Sequence, residues 1–542
     1  MTRAKRSDMS ALVLSPAAPD PIATVADPPE TQVQSNARRN KTVVAVLVLL
    51  TLLIGFWPLF DQAALPMDEG TLLVYPELVS HGQLPYRDFE TFYGPANLWV
   101  LSAAFSTFGT NIFVERGVGL LYRVIVLLAI FGIAQRWGTI LAAGVMFIAG
   151  MLLLPLQLPA YAWMGALACG LTALLVLTFG ESKLRCFSVG LLAGFALLFR
   201  PDVGPAMLLS ALPFLYTVSL KRRLSYFGGI AAGLLPLCVL TLLAGPVQVL
   251  NNLLLFPVIH CNPARRLPLF SVGLSLLGLL LLHVVACAAN FAAGFVALRR
   301  DHSKVNARLL LGATLFAAGL TSQATQRLDM LHFFLVGFLS ISLLPISLAL
   351  LASAGRAYQS SRAVSFLAIF SVIALVGPIA HEATSVMWDA FSTAFDTSRV
   401  RVEFVKQRDR SFPFQSLQTA RAAGKMFENL EVLSKSGERL FVGPADLRRT
   451  NGCDTFIYHL FPKLRPATYF LEMNPFSANR PGSRLAADVR SADWLVLNRE
   501  QDTRQEPNRS VEAGSDGPNT VVQTCFSLIG EYPPYLLFRR KP

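Results

Sequence analysis

The sequence predicts a polytopic α-helical membrane protein with about 11 to 13 transmembrane helices and a soluble C-terminal α/β domain. Three observations predict it. Of the 542 residues, 53% are hydrophobic and 15% charged, with mean hydropathy +0.49, where an average soluble domain is about 25% charged. Apolar runs long enough to cross a hydrocarbon core of roughly 30 Å, which takes about 20 helical residues, recur from Val43 to Ala380. From about Ala390 onward the composition is that of an ordinary soluble domain.

Residues 1–42, rich in Pro, Ala, Ser and Asp and without apolar periodicity, are expected to be a disordered cytoplasmic tail. Arg38, Arg39 and Lys41 then precede TVVAVLVLLTLLIGFWPLF, too long and too far from the start for a cleaved signal peptide, so it is expected to stay as the first span. Residues 43–385 form the expected membrane domain, with a large first outer loop over 61–95, and 386–542 the extracytoplasmic domain.

Four basic clusters should mark cytoplasmic span ends: Lys183 and Arg185; Lys221, Arg222 and Arg223; Arg299, Arg300, Lys304 and Arg308; Arg356 and Arg362. Pairs of apolar runs lie between them. The turns Phe199 to Gly204, Gly245 to Pro268 and Gln323 to His332 therefore fall outside. Between Asn97 and Leu158 three apolar runs break the parity, and NLWVLSAAFSTFG is the weakest of them, expected to be short or re-entrant.

In the soluble part, RLFVGP, ATYFLE and DWLVL read as strands, TFIYHLF and SRLAADVR as helices, and QTCFSLIGEY with YLLFRR as a final strand pair. Of seven cysteines, only Cys453 and Cys525 share this domain, where they form either a disulfide or two unpaired thiols.

The net charge of +13 resides in short stretches between apolar runs, which is the pattern of membrane topology and not of nucleic-acid binding. Chemistry is expected at the outer loops. The first carries Asp61, Asp68, Glu69, Glu77, Asp88 and Glu90, a dense acidic cluster beside lipid, where carboxylates usually face a polar cavity or a partner. Such a group can deprotonate an acceptor hydroxyl or hold a divalent cation against a pyrophosphate. The bland alternative is that Asp68 N-caps a short helix and Asp88 pairs with Arg87. LLFRPDVGP places Arg200 and Asp202 on the same side, and SQATQRLDMLHFF adds Arg327, Asp329 and His332, with Asp329 and His332 on one helical face. Arginine suits phosphate through charge-assisted bidentate hydrogen bonds. His260, Arg265 and Arg266 on a further outer loop read as contacts to lipid headgroups.

The Asp68–Glu69 pair just after the first span, the segment YRDFETFYGP and the RPD and RxDxxH turns resemble the GT-C superfamily of polyprenyl-phosphate-sugar-dependent glycosyltransferases, which includes protein mannosyltransferase-like (family 39-related) and aminoarabinose transferase-like members. The resemblance covers about residues 43 to 380. It implies that Asp68 is the catalytic base, with Glu69 its neighbour or substitute, and that the donor sugar arrives on a polyprenyl phosphate. Tyr86, Arg87, Asp88, Tyr93, Arg200, Asp202, Arg327, Asp329 and His332 are assigned to substrate or phosphate binding by their location. The family varies in metal use, and no second paired-carboxylate motif demands a metal here. The WWD-type signature of oligosaccharyltransferases is absent, which argues against en bloc transfer to asparagine.

The implied reaction is an inverting displacement at the anomeric carbon, with a lipid, glycan or protein hydroxyl as acceptor and a lipid phosphate as leaving group. Membrane lipids are further partners, and the resemblance implies a bacterial inner membrane. The rival readings are a transporter or flippase, disfavoured by span interiors nearly free of charge, and a non-catalytic assembly subunit.

Overall fold

The computed structural model describes residues 30–261, 273–300, 304–352, 361–379, 402–450, 452–474, 476–500 and 514–542. His260's side chain, Arg265, Arg266 and Arg356 lie outside the described residues. The chain forms two compact units, Met1–Val44 and Ala45–Pro542.

Fourteen α-helices precede the first strand among the described residues: α1 Glu30–Phe56, α2 Asp68–Ser80, α3 Ala96–Phe108, α4 Ile112–Ala134, α5 Thr139–Leu153, α6 Ala162–Leu177, α7 Lys183–Phe199, α8 Gly204–Leu215, α9 Leu220–Ala244, α10 Pro246–Leu250, α11 Leu274–Arg300, α12 Lys304–Gln326, α13 Met330–Ala352 and α14 Arg362–Ile379. A π-helix, Asn251–Cys261, continues α10. Helix α1 begins well before Val43, inside the segment expected to be unstructured, because a nucleated helix propagates readily through Gln, Asn, Arg and Lys.

Seven helical stretches are long and apolar enough to cross a membrane, and five shorter apolar helices accompany them, so the chain is an integral membrane protein. The expected 11 to 13 crossings are reached only if shorter helices cross as well. NLWVLSAAFSTFG is one of these, forming the 13-residue α3. Helix α13 lies at the centre, 83% of its apolar window buried, while 22% of that of α9 is covered. Leu224, Phe227, Leu235, Val239 and Leu242 of α9 are exposed, as lipid-facing side chains are.

Three of the basic clusters meet at one end of the bundle. Glu181, in the α6–α7 connection, faces Arg308 at 3.3 Å and Arg222 at 3.9 Å, and Ser225 donates to the Lys183 carbonyl at 2.8 Å.

The C-terminal part opens with an antiparallel hairpin, β1 Glu403–Gln407 and β2 Arg410–Phe414, and helix α15 Leu417–Leu433, none of which the sequence pattern signals. A five-stranded sheet comes next, in the order β4-β3-β5-β7-β6. Strands β3 Arg439–Pro444, β4 Arg465–Pro466 and β5 Trp494–Asn498 run parallel, while β6 Phe526–Tyr532 and β7 Tyr535–Arg540 form an antiparallel hairpin on β5. Helices α16 Phe456–Leu460, α17 Leu485–Ser491 and α18 Gly517–Cys525 pack around it.

One strand fails to extend. ATYFLE leaves the sheet after Pro466 because its groups bond elsewhere: Thr468 Oγ1 and Tyr469 N donate to Asp488 Oδ2 at 3.1 and 3.0 Å, and the Tyr469 carbonyl accepts from Glu90 N at 2.9 Å. Cys453 and Cys525 are separate thiols, the former donating to the Leu471 carbonyl at 2.9 Å.

The sheet domain docks on α2. A Cβ at Gly70 would lie 2.4 Å from Phe456 N, so only glycine allows the two helices this approach. Further along α2, Arg410 grips Glu77 with two bonds, 2.5 and 2.8 Å, and donates to the His459 carbonyl at 2.7 Å. Burial and the adjacent Arg410 push His459 down to about 3, keeping the ring neutral. Gly70→Ala is expected to cost about 1–3 kcal/mol by overpacking, read as a lowered Tm of the purified protein in detergent. Gly117→Ala, whose Cβ meets no atom within 4 Å, should leave the Tm unchanged or raise it.

Candidate active site at the outer loop

Six acidic residues were the expected hallmark of the first outer loop, and four of them are committed to protein partners. Glu69 is fully buried on the first turn of α2. Arg116 of α4 donates to it from Nε (2.7 Å) and Nη2 (3.0 Å), and from Nη1 to the carbonyls of Phe60 (2.5 Å) and Gln62 (2.9 Å). Glu77 holds Arg410 of the C-terminal hairpin. Asp88 binds Arg87 at 2.9 and 2.8 Å and accepts from Leu84 N at 2.8 Å, so it clamps an exposed turn; the Arg87 bonds hold its carboxyl below the usual range. Glu90 accepts from Ser477 Oγ of the C-terminal domain.

Asp68 is the first residue of α2, with Met67, not Asp68, at the N-cap position. Its neighbourhood is charged. Burial, then the Asp68 and Glu69 charges, push Tyr161 well above the ordinary phenol range.

Tyr93, Arg200 and Asp202 come together as a second group. Arg200 caps the end of α7, donates to Asp202 from Nε at 2.9 Å and also from Nη2, and lies over the Tyr93 ring at 5.2 Å and the Trp163 ring at 4.7 Å. Gly94 makes this approach possible: its N donates to the Phe199 carbonyl at 3.1 Å, and a Cβ there would sit 1.9 Å from the Leu198 carbonyl.

Arg327, Asp329 and His332 form the third. Asp329 caps α13, accepting from His332 N at 2.9 Å, with His332 Nδ1 at 2.8 Å and Arg327 Nε at 2.9 Å. Burial opposes ionisation of Asp329, but His332 and Arg327 outweigh it and hold its carboxyl down at about 2. One indole links the second and third groups, since Trp163 Nε1 donates to the Leu335 carbonyl of α13 at 3.3 Å.

A cavity of about 610 Å³ lies elsewhere on the same loop. Of the expected residues, Tyr86 and Arg87 line it. Tyr86 is buried in a left-handed conformation (φ 71°), donates to the Tyr93 carbonyl at 2.8 Å and accepts from Tyr469 Oη on its own carbonyl at 2.7 Å. Arg480 and Arg484 supply charge, Glu90 a carboxyl, Asn251 and Asn252 amide groups, and Leu255, Phe256 and Ile259 apolar surface. Arg480 and Arg484 were not anticipated, because nothing in a soluble domain's sequence tells which of its arginines face a cavity.

Glu115, Arg116 and Arg123 were missed as well, and they correct the expectation that span interiors lack charge: all three are buried in α4. The signal was present in VERGVGLLYRV, where Arg116 and Arg123 stand seven residues apart on one face of an apolar run. Among the described residues no group of three or more His, Cys, Asp or Glu side chains is placed to hold a metal ion.

Burial, with Glu472 adding to it, pushes Glu90 up to about 8 against the bonds from Ser477 and Asn474 and the charge of Arg480. A carboxyl whose folded value is raised stabilises the fold while protonated, so the stability it lends is present at low pH and is lost as pH rises toward and through about 8. The Tm in detergent should therefore fall between pH 6 and pH 9. Glu90→Gln should flatten that fall, and an unchanged slope in the variant would assign the loss to another group.

No protein-family model matches the sequence, and no curated protein matches it. Two crystal structures are similar to it. ArnT from Cupriavidus metallidurans bound to undecaprenyl phosphate is 14% identical, with 91% of this chain and 97% of that one covered at a TM-score of 0.49. The same protein in the apo state is 14% identical, with 93% and 98% covered at a TM-score of 0.49.

Proposed function

We propose that this protein transfers a sugar from a polyprenyl-phosphate-linked donor to a lipid, glycan or protein hydroxyl at the outer face of a bacterial inner membrane, with the C-terminal domain on that side. The observation that carries the reading is the cavity of about 610 Å³, with arginines on one wall and lipid-like side chains on the other, opening on the acidic outer loop. An anionic head on an apolar chain is the ligand such walls suit. Outside the cavity, Val247, Leu250, Leu254 and Val258 of the same helical segment are exposed as a lipid-facing edge.

In this mechanism the acceptor oxygen attacks the anomeric carbon, Asp68 takes its proton, and the sugar–phosphate bond breaks with inversion. The departing phosphate keeps the electron pair. Arg480, Arg484 and Arg87 stabilise its charge, and because phosphate leaves well no general acid is required. Glu69 serves by position: pinned to Arg116, it fixes the first turn of α2 on which Asp68 stands. Arg200 and Asp202, with Tyr93, and the Arg327–Asp329–His332 group complete the binding surface on the same end of the bundle. No step is routed through a metal.

The buried charges of α4 are the feature that favours transport, since intramembrane charge marks ion and substrate paths. Each is bonded to protein, Glu115 accepting from Ala160 N at 2.6 Å, which favours a fastening role instead.

Turnover of polyprenyl-phosphate sugars by the purified protein in nanodiscs tests the reading. Asp68→Asn should lower kcat about 10²–10⁴-fold with Tm unchanged, and Arg480→Ala should raise the donor KM about tenfold. Near-normal kcat in Asp68→Asn would remove Asp68 from the mechanism, and no turnover by folded wild type across a donor panel would leave transport or assembly as the function.

A further inference from the structure

Arg123 sits in the middle of α4 with no exposed surface, and none of its hydrogen bonds to the described residues goes to a carboxylate. Its guanidinium is spent on backbone. Nη1 donates to the carbonyls of Gly119 (2.8 Å), Leu158 (3.3 Å) and Pro159 (3.3 Å), and Nη2 to that of Leu156 (3.3 Å), while Nε has no hydrogen-bond partner among the described residues. The segment it holds, LPLQLPAY from Leu154 to Tyr161, is the connection between α5 and α6.

Two further residues fasten the same segment. Glu115 accepts from Ala160 N at 2.6 Å, and Asn97 Nδ2 donates to the Ala160 carbonyl at 2.8 Å, itself steadied by Tyr122 Oη on Asn97 Oδ1 at 3.0 Å. Gly119 lets the backbone come close: a Cβ there would be 1.8 Å from the Leu158 carbonyl. Gln157 takes a left-handed conformation (φ 53°), which costs a non-glycine residue energy and persists only where the surroundings fix it.

The chain on either side of this fastened stretch is tied to both acidic and basic groups. Glu115, which holds Ala160, is the neighbour of Arg116, which holds Glu69 beside Asp68, and Trp163 lies under Arg200 while holding α13 through the Leu335 carbonyl. We infer that Arg123 is a positioning residue for the transfer reaction: it fixes residues 156–160, and with them the start of α6, so that Trp163 stays under Arg200 in register with the turn of α4 that holds Glu69 beside the base Asp68. This rests on the glycosyltransferase reading. Of the four carbonyls Arg123 holds, three lie in the α5–α6 connection and one in its own helix.

Two measurements keep the inference separable from that reading. In the first, Asn97→Cys with Ala160→Cys is oxidised in nanodiscs, with and without Arg123→Met, and the 97–160 disulfide is quantified by peptide mass. Arg123→Met should reduce its yield severalfold; an undiminished yield overturns the inference whatever the protein's activity. In the second, Arg123→Met should lower kcat on the order of 100-fold with the donor KM changed little, and Arg123→Lys should recover part of it. Equal loss of kcat and of folded protein, with no recovery in Arg123→Lys, assigns Arg123 to folding alone. An Arg123-dependent disulfide in the double-cysteine protein, beside a wild type that turns over no donor, would overturn the reaction while leaving the fastening in place.

Discussion

The bidentate pair between Glu69 and Arg116 is the contact on which the start of α2 and the loop after it depend. Both side chains are buried, and one guanidinium serves a carboxylate and two carbonyls, so the chain leaving the first span, the first turn of α2 and the body of α4 share a single joint. Breaking such a pair strands a charge out of water, a cost of about 3–5 kcal/mol. Asp68 inherits its place from this joint, being the adjacent residue in the chain. The acid beside the proposed base is therefore structural, and its neighbourhood to Asp68 gives the DE pair two separate tasks.

The remaining acids of the loop divide between local and distant work. Asp88 shapes its own turn, whereas Glu77 and Glu90 reach the C-terminal domain, and Tyr86 does so through its carbonyl. Together with Gly70 against Phe456 they seat the sheet domain on α2 and α2 on the bundle. The cavity exists because of that seating: the loop and the helix after Gly245 supply one side of it, and Arg480 and Arg484 the other.

Features that depend on near neighbours in the chain were legible. Apolar length gave the spans, charge asymmetry gave the basic end that Glu181 gathers, and short apolar runs gave β3, β5 and the β6–β7 hairpin. Helix capping let Asp329 and His332 be placed on one face. Long-range pairing was opaque: Arg410 carries no mark of Glu77, and ATYFLE has strand composition but spends its donors on Asp488. The charges of α4 were visible but read past, since a run that is apolar on average conceals three residues whose partners lie in other segments.

The partners that complete the loop stand far apart in the chain: 333 residues separate Glu77 from Arg410, 383 separate Tyr86 from Tyr469 and 387 separate Glu90 from Ser477. A ribosome makes the loop early and its clamp last. Through most of synthesis helix α2 has only early neighbours, Arg116 at its start and Phe89 stacked on Tyr75, so the half-built protein carries the acidic helix without its C-terminal partners. Such long contact order slows folding and lengthens exposure to aggregation and proteolysis. Competence arrives with the final quarter of the polypeptide, and a chain cut short within its sheet domain displays the acidic loop without the cavity.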